Sequence, residues 1–119
     1  MATIAVVDDN PDTLKLVRAV LSRRGHRVAE FPTGVGLAAV VAADPPDLIL
    51  LDLELPDLDG FGVLAELRRL PRPVRVVALT AHATADDRLL AERAGFDGFI
   101  TKPIDIAVFP DQVSHILGP

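Results

Sequence analysis

The chain has 119 residues, no cysteine and a formal net charge of −5 at pH 7. This length fits one domain with its own core, and we expect that core to be aliphatic because only 4% of residues are aromatic. The lack of cysteine excludes disulfides and zinc–cysteine sites, and the negative charge argues against direct nucleic-acid binding. Apolar runs stay below the roughly 18 residues that a membrane helix needs, so we expect a cytoplasmic protein without a membrane segment.

Strand-like and helix-like segments alternate through the first half of the chain. A helix begins where Asn10 can act as N-cap and Pro11 as first residue, and it ends near Gly25. The other predicted elements of this half are strands at Ile4–Val7, His26–Phe31 and Leu48–Leu51, and a helix that starts at Thr33 and runs through Ala43. The third strand has no polar alternation, which is typical of a central strand covered on both faces.

The second half continues the alternation. Asp59 is the predicted N-cap of the next helix, and Gly95 is predicted to end the fourth helix. The predicted elements are helices at Phe61–Leu70, Ala85–Ala94 and roughly Ile106–Leu117, and strands at Val74–Leu79 and Phe96–Ile100. Pro110 falls inside the last predicted helix, so we expect that helix to start late, near Phe109, or to bend.

Five strands that alternate with five helices predict an α/β fold with a doubly wound parallel sheet. We expect a flavodoxin-like domain over residues 1–119, with strand order 2-1-3-4-5. In such a sheet the carboxyl ends of all strands lie on one edge, where ligands bind.

Polar residues follow four of the predicted strands. Asp8 and Asp9 follow the first strand, Asp52 the third, Thr80 the fourth and Lys102 the fifth. The strand order places the three aspartates near each other, and two carboxylates about 4 Å apart repel by about 4 kcal/mol at an effective dielectric constant near 20. A raised pKa or a bound cation must offset this repulsion, and carboxylates with a phosphate co-ligand are a usual Mg²⁺ arrangement.

The same strand-end residues discriminate between kinds of ligand. A mononucleotide site would need a Gly-rich, phosphate-binding loop after the first strand, whereas this loop is Asp8-Asp9-Asn10-Pro11. A lysine ammonium at Lys102 and a hydroxyl at Thr80 could instead bind an anionic group carried by Asp52. Asp52 is then the candidate nucleophile for a phosphoryl group.

In combination these motifs resemble the receiver domain of two-component response regulators over essentially all 119 residues. The motifs are Asp8-Asp9, Asp52 followed by Leu55-Pro56 and Asp59-Gly60, Thr80-Ala81, and Lys102-Pro103. The resemblance implies a signalling switch, not an enzyme: a phosphoprotein that catalyses only its own phosphorylation and hydrolysis. It also implies a sensor histidine kinase or a histidine phosphotransfer protein as phosphoryl donor, and an unknown downstream protein as target.

The resemblance also assigns residue roles. Asp52 would become the 4-aspartylphosphate, and Mg²⁺ would be held by Asp8, Asp9, Asp52 and the backbone carbonyl of Glu54. Thr80, Ala81 and Lys102 would bind the phosphoryl group, Phe99 would move inward with Thr80, and the Lys102–Pro103 peptide bond would be cis. The fourth helix, fifth strand and fifth helix, about Ala85 to Leu117, would report the change.

Two side chains near the site depart from the pattern. Glu54 adds a fourth carboxylate, which either faces solvent or alters the lifetime of the phosphoryl group. His82 is expected to be an exposed loop residue or to tune that lifetime. Farther away, four arginines are expected to form a solvated charged edge: Arg68, Arg69, Arg72 and Arg75.

Two alternatives remain open. A receiver-like interaction domain would keep the fold without the chemistry, although intact Asp9, Asp52, Thr80 and Lys102 argue against it. A haloacid-dehalogenase-type phosphatase also uses an aspartate and Mg²⁺, but it would need a second aspartate where Glu54 stands and, usually, a cap domain. We expect no output domain after the last helix, in a protein that is either free-standing or a receiver taken from a longer protein.

Overall fold

Five parallel strands form one sheet whose two faces are covered by helices. The computed structural model describes residues 2–56 and 59–118, so Asp57 and Leu58 of the predicted loop lie outside the described residues. The strands are β1 (Thr3–Val7), β2 (Arg27–Phe31), β3 (Leu48–Asp52), β4 (Arg75–Thr80) and β5 (Gly98–Thr101). Their order in the sheet is β2-β1-β3-β4-β5, with every neighbouring pair parallel, as predicted.

The helices divide between the two faces of the sheet. They are α1 (Pro11–Ser22), α2 (Leu37–Ala43), α3 (Gly60–Arg68), α4 (Ala85–Ala94) and α5 (Phe109–Leu117). Buried aliphatic residues of α2, α3 and α4 pack on one face, and those of α1 and α5 pack on the other. All five residues of β3 are buried, because this strand lies at the centre of the sheet and is covered from both sides.

Helix α2 is shorter than the sequence predicts, and the expected start at Thr33 is wrong. The Thr33 hydroxyl accepts a hydrogen bond from the N–H of Val35 at 3.2 Å, and Gly36 has a φ of 76°. A left-handed residue at this position cannot continue a right-handed helix toward the N-terminus. Residues 33–36 therefore form a turn, and the helix begins at Leu37.

Other predicted boundaries shift by one or two residues, for reasons that lie in the hydrogen bonds. Phe96 is not in β5, because its N–H donates to the carbonyl of Ala91 and so completes the end of α4. Leu70 is not in α3, since its N–H reaches only three residues back, to Leu67. Smaller corrections concern β2, which excludes His26, and β4, which ends at Thr80.

Helix α5 starts late, which confirms the prediction made from Pro110. The helix begins at Phe109, so Pro110 occupies one of its first two positions, where no intrahelical N–H donor is needed. Phe109 and Val113 are fully buried and pack among the residues of the α1/α5 face. In the described ranges, no helix has the length and apolar character needed to cross a lipid bilayer.

All four clustered arginines are exposed, as expected of a solvated edge, but two of them also hold the fold together. The Arg68 guanidinium donates to the carbonyls of Val74 and Gly95 at 2.6 and 2.7 Å and to Asp97 at 2.8 Å. Arg75 donates to the carbonyls of the last turn of α5. These bonds tie the ends of α3, α4 and α5 to the sheet at the edge opposite the polar strand ends.

Candidate functional site

Four strands deliver polar side chains to the same edge of the sheet. Asp52 is the last residue of β3 and Thr80 the last residue of β4, while Asp8 and Lys102 directly follow β1 and β5. Asp8, Asp52 and Thr80 are each no more than 2% exposed, although the strands before them are aliphatic. Buried polar groups at the ends of apolar strands need partners. Asp8 and Asp52 share Lys102, whereas Thr80 bonds to the loop after β3.

Three carboxylates converge on one point. One oxygen each from Asp8, Asp9 and Asp52 lies within 4.8 Å of the other two. Asp9 is exposed, whereas Asp8 and Asp52 are buried, so the cluster is open to solvent on the Asp9 side. Such a group of like charges is stable only with a cation beside it or with a proton bound.

Lys102 provides one such cation within the chain. Its Nζ lies 2.6 Å from Oδ2 of Asp8 and 3.2 Å from Oδ2 of Asp52. Burial lowers the pKa of Lys102, but close contact with the negative charge of Asp8, together with Asp52, outweighs burial and raises that pKa above its usual value. The lysine is therefore charged at neutral pH. The Lys102–Pro103 peptide bond is cis.

The Asp52 carboxyl is held in a defined orientation. Its Oδ1 accepts a hydrogen bond from the N–H of Glu54 at 2.9 Å, and its Oδ2 faces Lys102. Burial raises the pKa of Asp52 above its usual value, and the Glu54 N–H and Lys102 counter only part of that rise. A desolvated carboxylate beside a lysine is a suitable nucleophile for a group that carries negative charge.

The hydroxyl of Thr80 points at a different acid. Thr80 Oγ1 donates to Oε1 of Glu54 at 2.7 Å, and the N–H of Ala81 donates to the same oxygen at 2.9 Å. Glu54 is thus an exposed loop acid whose side chain, 33% exposed, is also bound to the end of β4. Burial raises the pKa of Glu54, but the hydrogen bonds from Thr80 and Ala81 outweigh burial and lower it below its usual value.

His82 and Phe99 lie at the margin of this site. The His82 side chain is 73% exposed, and its Nε2 is 3.8 Å from Oε1 of Glu54. Phe99 pairs with Ala78 on the neighbouring strand and is partly buried. The guanidinium carbon of Arg88, on α4, lies 5.0 Å from the centroid of the Phe99 ring, a distance typical of a cation–π contact.

Comparison with known proteins identifies this arrangement. The family model described as the response regulator receiver domain matches residues 4–114. The chain belongs to this receiver domain family.

Several relatives agree with this assignment. An uncharacterised 14.6 kDa protein of Leptolyngbya boryana is 38% identical over 86% of this chain and 79% of its own length. The transcriptional regulatory protein KdpE of Mycobacterium tuberculosis is 39% identical over 92% of this chain. The chain spans 48% of KdpE, about half of that regulator.

Solved structures of receiver domains are also similar to this chain. The BeF3-activated N-terminal receiver domain of Klebsiella pneumoniae RstA has a TM-score of 0.88 and 29% identity, and the match covers 98% of this chain and 99% of that domain. Receiver domains are signalling switches, and the five-stranded sheet in the order 2-1-3-4-5 is the fold expected for one.

The acidic residues of this receiver domain fit a divalent cation such as Mg²⁺. Oδ2 of Asp8 is fully buried and, within residues 2–56 and 59–118, makes no hydrogen bond of good geometry, although Lys102 lies beside it. Three carboxylate oxygens within 4.8 Å of one another are the donor type that a hard cation prefers.

The contact of Arg88 with Phe99 and the bonds of Glu54 to the end of β4 were not among the predictions from the sequence. The contact between Arg88 and Phe99 has only a weak signal in the sequence, namely a basic residue on the helix that precedes a strand with an aromatic residue. The bonds from Thr80 and Ala81 to Glu54 were also not foreseen. The position of an acid two residues after Asp52 was the available signal, but 26 residues separate Glu54 from Thr80 in the chain.

Proposed function

We propose that this receiver domain accepts a phosphoryl group on Asp52. The observation that carries this proposal is a buried Asp52 carboxylate with a lysine ammonium 3.2 Å away and oxygens of two further carboxylates within 4.8 Å. Phosphoryl transfer needs mainly alignment and charge neutralisation, and these neighbours offer both. The relatives named as regulators belong to the same family, which supports the assignment.

The chemistry follows from the groups at the strand ends. An Asp52 oxygen forms the new P–O bond while the P–N bond to a donor histidine breaks, and the imidazole nitrogen keeps the electron pair of that bond. Once the Lys102 ammonium gives up its contact with Asp52, it can contact the oxygens of the transferred phosphoryl group. The Thr80 hydroxyl and the Ala81 N–H are further candidate donors to those oxygens, and both are bound to Glu54 in the resting domain.

We propose Mg²⁺ as the cofactor. Asp8, Asp9, Asp52 and the backbone carbonyl of Glu54 would hold it. When bound, the ion supplies positive charge that offsets the carboxylates and the phosphoryl oxygens. The protein's own part is to keep Asp52 ionised, oriented and partly shielded from water, through the bonds from Glu54 N–H and Lys102.

The partners that suit this chemistry are proteins that carry phosphohistidine. We propose a sensor histidine kinase or a histidine phosphotransfer protein as donor, in the cytoplasm. We propose that residues 1–119 act as one receiver domain and that the surface of α4, β5 and α5 reports its state. Exposed apolar residues lie on or beside that surface, among them Leu89, Leu90, Ile106 and Val108.

Intact mass after incubation with acetyl phosphate and Mg²⁺ tests the acceptor. The wild type should gain one phosphoryl mass, and Asp52→Asn should gain none because the amide cannot form the acyl phosphate. Asp47→Asn, at the opposite edge of the sheet, is the matched control and should be phosphorylated like the wild type. An adduct that persists in Asp52→Asn would contradict the assignment.

The same assay separates the alternatives. Failure to form an adduct with any divalent cation would favour an interaction domain without phosphorylation. Sustained turnover of unrelated phosphate esters would favour a phosphatase. A single adduct that decays without turnover of such esters is the result expected of a receiver domain.

A further inference from the structure

Glu54 occupies the donors that a phosphoryl group on Asp52 would need. Both the hydroxyl of Thr80 and the N–H of Ala81 point to one oxygen of Glu54, at 2.7 and 2.9 Å. These donors lie at the end of β4, next to the strand that carries Asp52. An internal carboxylate therefore stands where the proposed function requires an external anion to be bound.

The competition follows from the number of protons available. A threonine hydroxyl and a backbone N–H each have one proton to donate. The Thr80 proton has the Glu54 oxygen at 2.7 Å and the carbonyl of His82 only at 3.4 Å, while the N–H of His82 donates to the Thr80 oxygen. A phosphoryl oxygen could take either proton only if Glu54 releases it.

The backbone holds Glu54 in this position. Its N–H is bound to Asp52 at 2.9 Å, so the chain turns directly after the acceptor and carries the Glu54 side chain across to β4. The carboxylate is thus tethered two residues from Asp52, which gives it a high effective concentration at these donors. It competes without any need for a second molecule.

We propose that Glu54 is an internal competitor for the phosphoryl-binding donors, so that its carboxylate must leave Thr80 and Ala81 before they can bind a phosphoryl group. The inference rests on the proposed function. It concerns binding of the anion, and so differs from any effect of Glu54 on the attack of water. Its prediction is that the resting domain binds a phosphoryl mimic more weakly than its site would otherwise allow.

The first test measures binding of beryllofluoride with Mg²⁺ by calorimetry, because this anion forms no product and its affinity does not depend on hydrolysis. Glu54→Ala should bind it about tenfold more tightly than the wild type, equivalent to about 1.4 kcal/mol. Glu54→Gln should fall between the two, since its amide oxygen still accepts hydrogen bonds but carries no charge. Glu66→Gln, an exposed change of the same charge on α3, is the matched control and should leave the affinity unchanged.

A double-mutant cycle with Thr80→Val separates competition from loss of charge. When the hydroxyl is absent, the gain from Glu54→Ala should fall below about threefold, because only the Ala81 N–H is then contested. An equal gain in both backgrounds would mean that Glu54 acts through its charge alone, and this would overturn the inference.

A second readout needs neither metal nor anion. In the resting protein, the Ala81 amide proton resonance should move upfield in Glu54→Ala as its hydrogen bond is lost, and should stay in place in Glu66→Gln. An unchanged Ala81 resonance in Glu54→Ala would overturn the inference whatever the protein's function. Failure of every variant, wild type included, to bind beryllofluoride would instead count against the proposed function, whereas wild-type binding without a gain in Glu54→Ala would overturn this inference alone.

Discussion

The ammonium nitrogen of Lys102 lies 2.6 Å from a fully buried carboxylate oxygen of Asp8. Substitution of Lys102 by Met should leave the buried carboxylates of Asp8 and Asp52 without their cation. We expect the free energy of unfolding to fall by about 3 kcal/mol in the absence of metal. Urea denaturation in EDTA measures this loss.

Lys15 offers the matched control, because it is the only other lysine and lies exposed on α1. Lys15→Met should change the free energy of unfolding by less than about 0.5 kcal/mol. Equal losses in the two variants would show that Lys102 does not compensate the acidic cluster.

Mg²⁺ should raise the melting temperature of the wild type, because the ion would bind the folded acidic cluster and not the unfolded chain. At an Mg²⁺ concentration of about 100 times its dissociation constant, binding adds about 2.7 kcal/mol to the free energy of unfolding. Asp9→Asn removes an exposed ligand candidate and should abolish most of the shift, whereas Asp86→Asn, an exposed acid on α4, should retain it. Differential scanning fluorimetry with and without EDTA makes the comparison, and a full shift in Asp9→Asn would argue against a site at this cluster.

Gly60 should not tolerate a side chain. A Cβ on Gly60 would lie 2.9 Å from Cδ2 of Leu53, 3.0 Å from the Leu53 Cα and 3.3 Å from the carbonyl oxygen of Asp52. Gly60→Ala must therefore push the start of α3 away from the backbone that carries the proposed acceptor. We expect a loss of stability of about 1–3 kcal/mol and slower phosphorylation by acetyl phosphate.

Gly62 lies two residues further into the same helix and provides the contrast. A Cβ there meets no atom within 4 Å, so Gly62→Ala should stabilise α3 by up to about 1 kcal/mol. Denaturant unfolding of the two variants measures the difference. Similar stabilities would show that the contact between α3 and the chain after Asp52 can relax.

Arg68 should contribute more to stability than its neighbour Arg69. Both residues are exposed, but the Arg68 guanidinium makes three hydrogen bonds, to Val74, Gly95 and Asp97, whereas the Arg69 side chain makes none to the described residues 2–56 and 59–118. Arg68→Ala should cost about 2 kcal/mol because two carbonyls and a carboxylate lose their donor. Arg69→Ala should cost less than about 0.5 kcal/mol. Chemical denaturation checks both values, and a small loss at Arg68 would mean that water replaces its bonds.

The sheet and the position of the site were predictable because both follow from local patterns. A run of aliphatic residues such as Leu48–Leu51 can be buried only at the centre of a covered sheet, and Asp52 comes where that run ends. Parallel pairing then brings the strand ends together without further information. The late start of α5 was predictable for a similar reason, since Pro110 restricts the backbone locally.

Most features that the sequence does not predict depend on residues that are distant in the chain. Arg68 resembles any other exposed arginine until the fold brings Gly95 and Asp97 beside it. The direction of the Glu54 side chain depends on Thr80, 26 residues away. The predicted start of helix α2 is wrong for a local reason: Gly36 adopts a positive φ, which its neighbours in the sequence do not require.

The backbone N–H of Lys102 donates to the carbonyl of Thr80 at 2.8 Å, so the residues that carry the ammonium and the hydroxyl are joined directly. Any shift of the chain at Lys102 pulls on this bond and therefore on Thr80. A change that loosens the edge strand β5 is therefore expected to displace both the ammonium of Lys102 and the hydroxyl of Thr80.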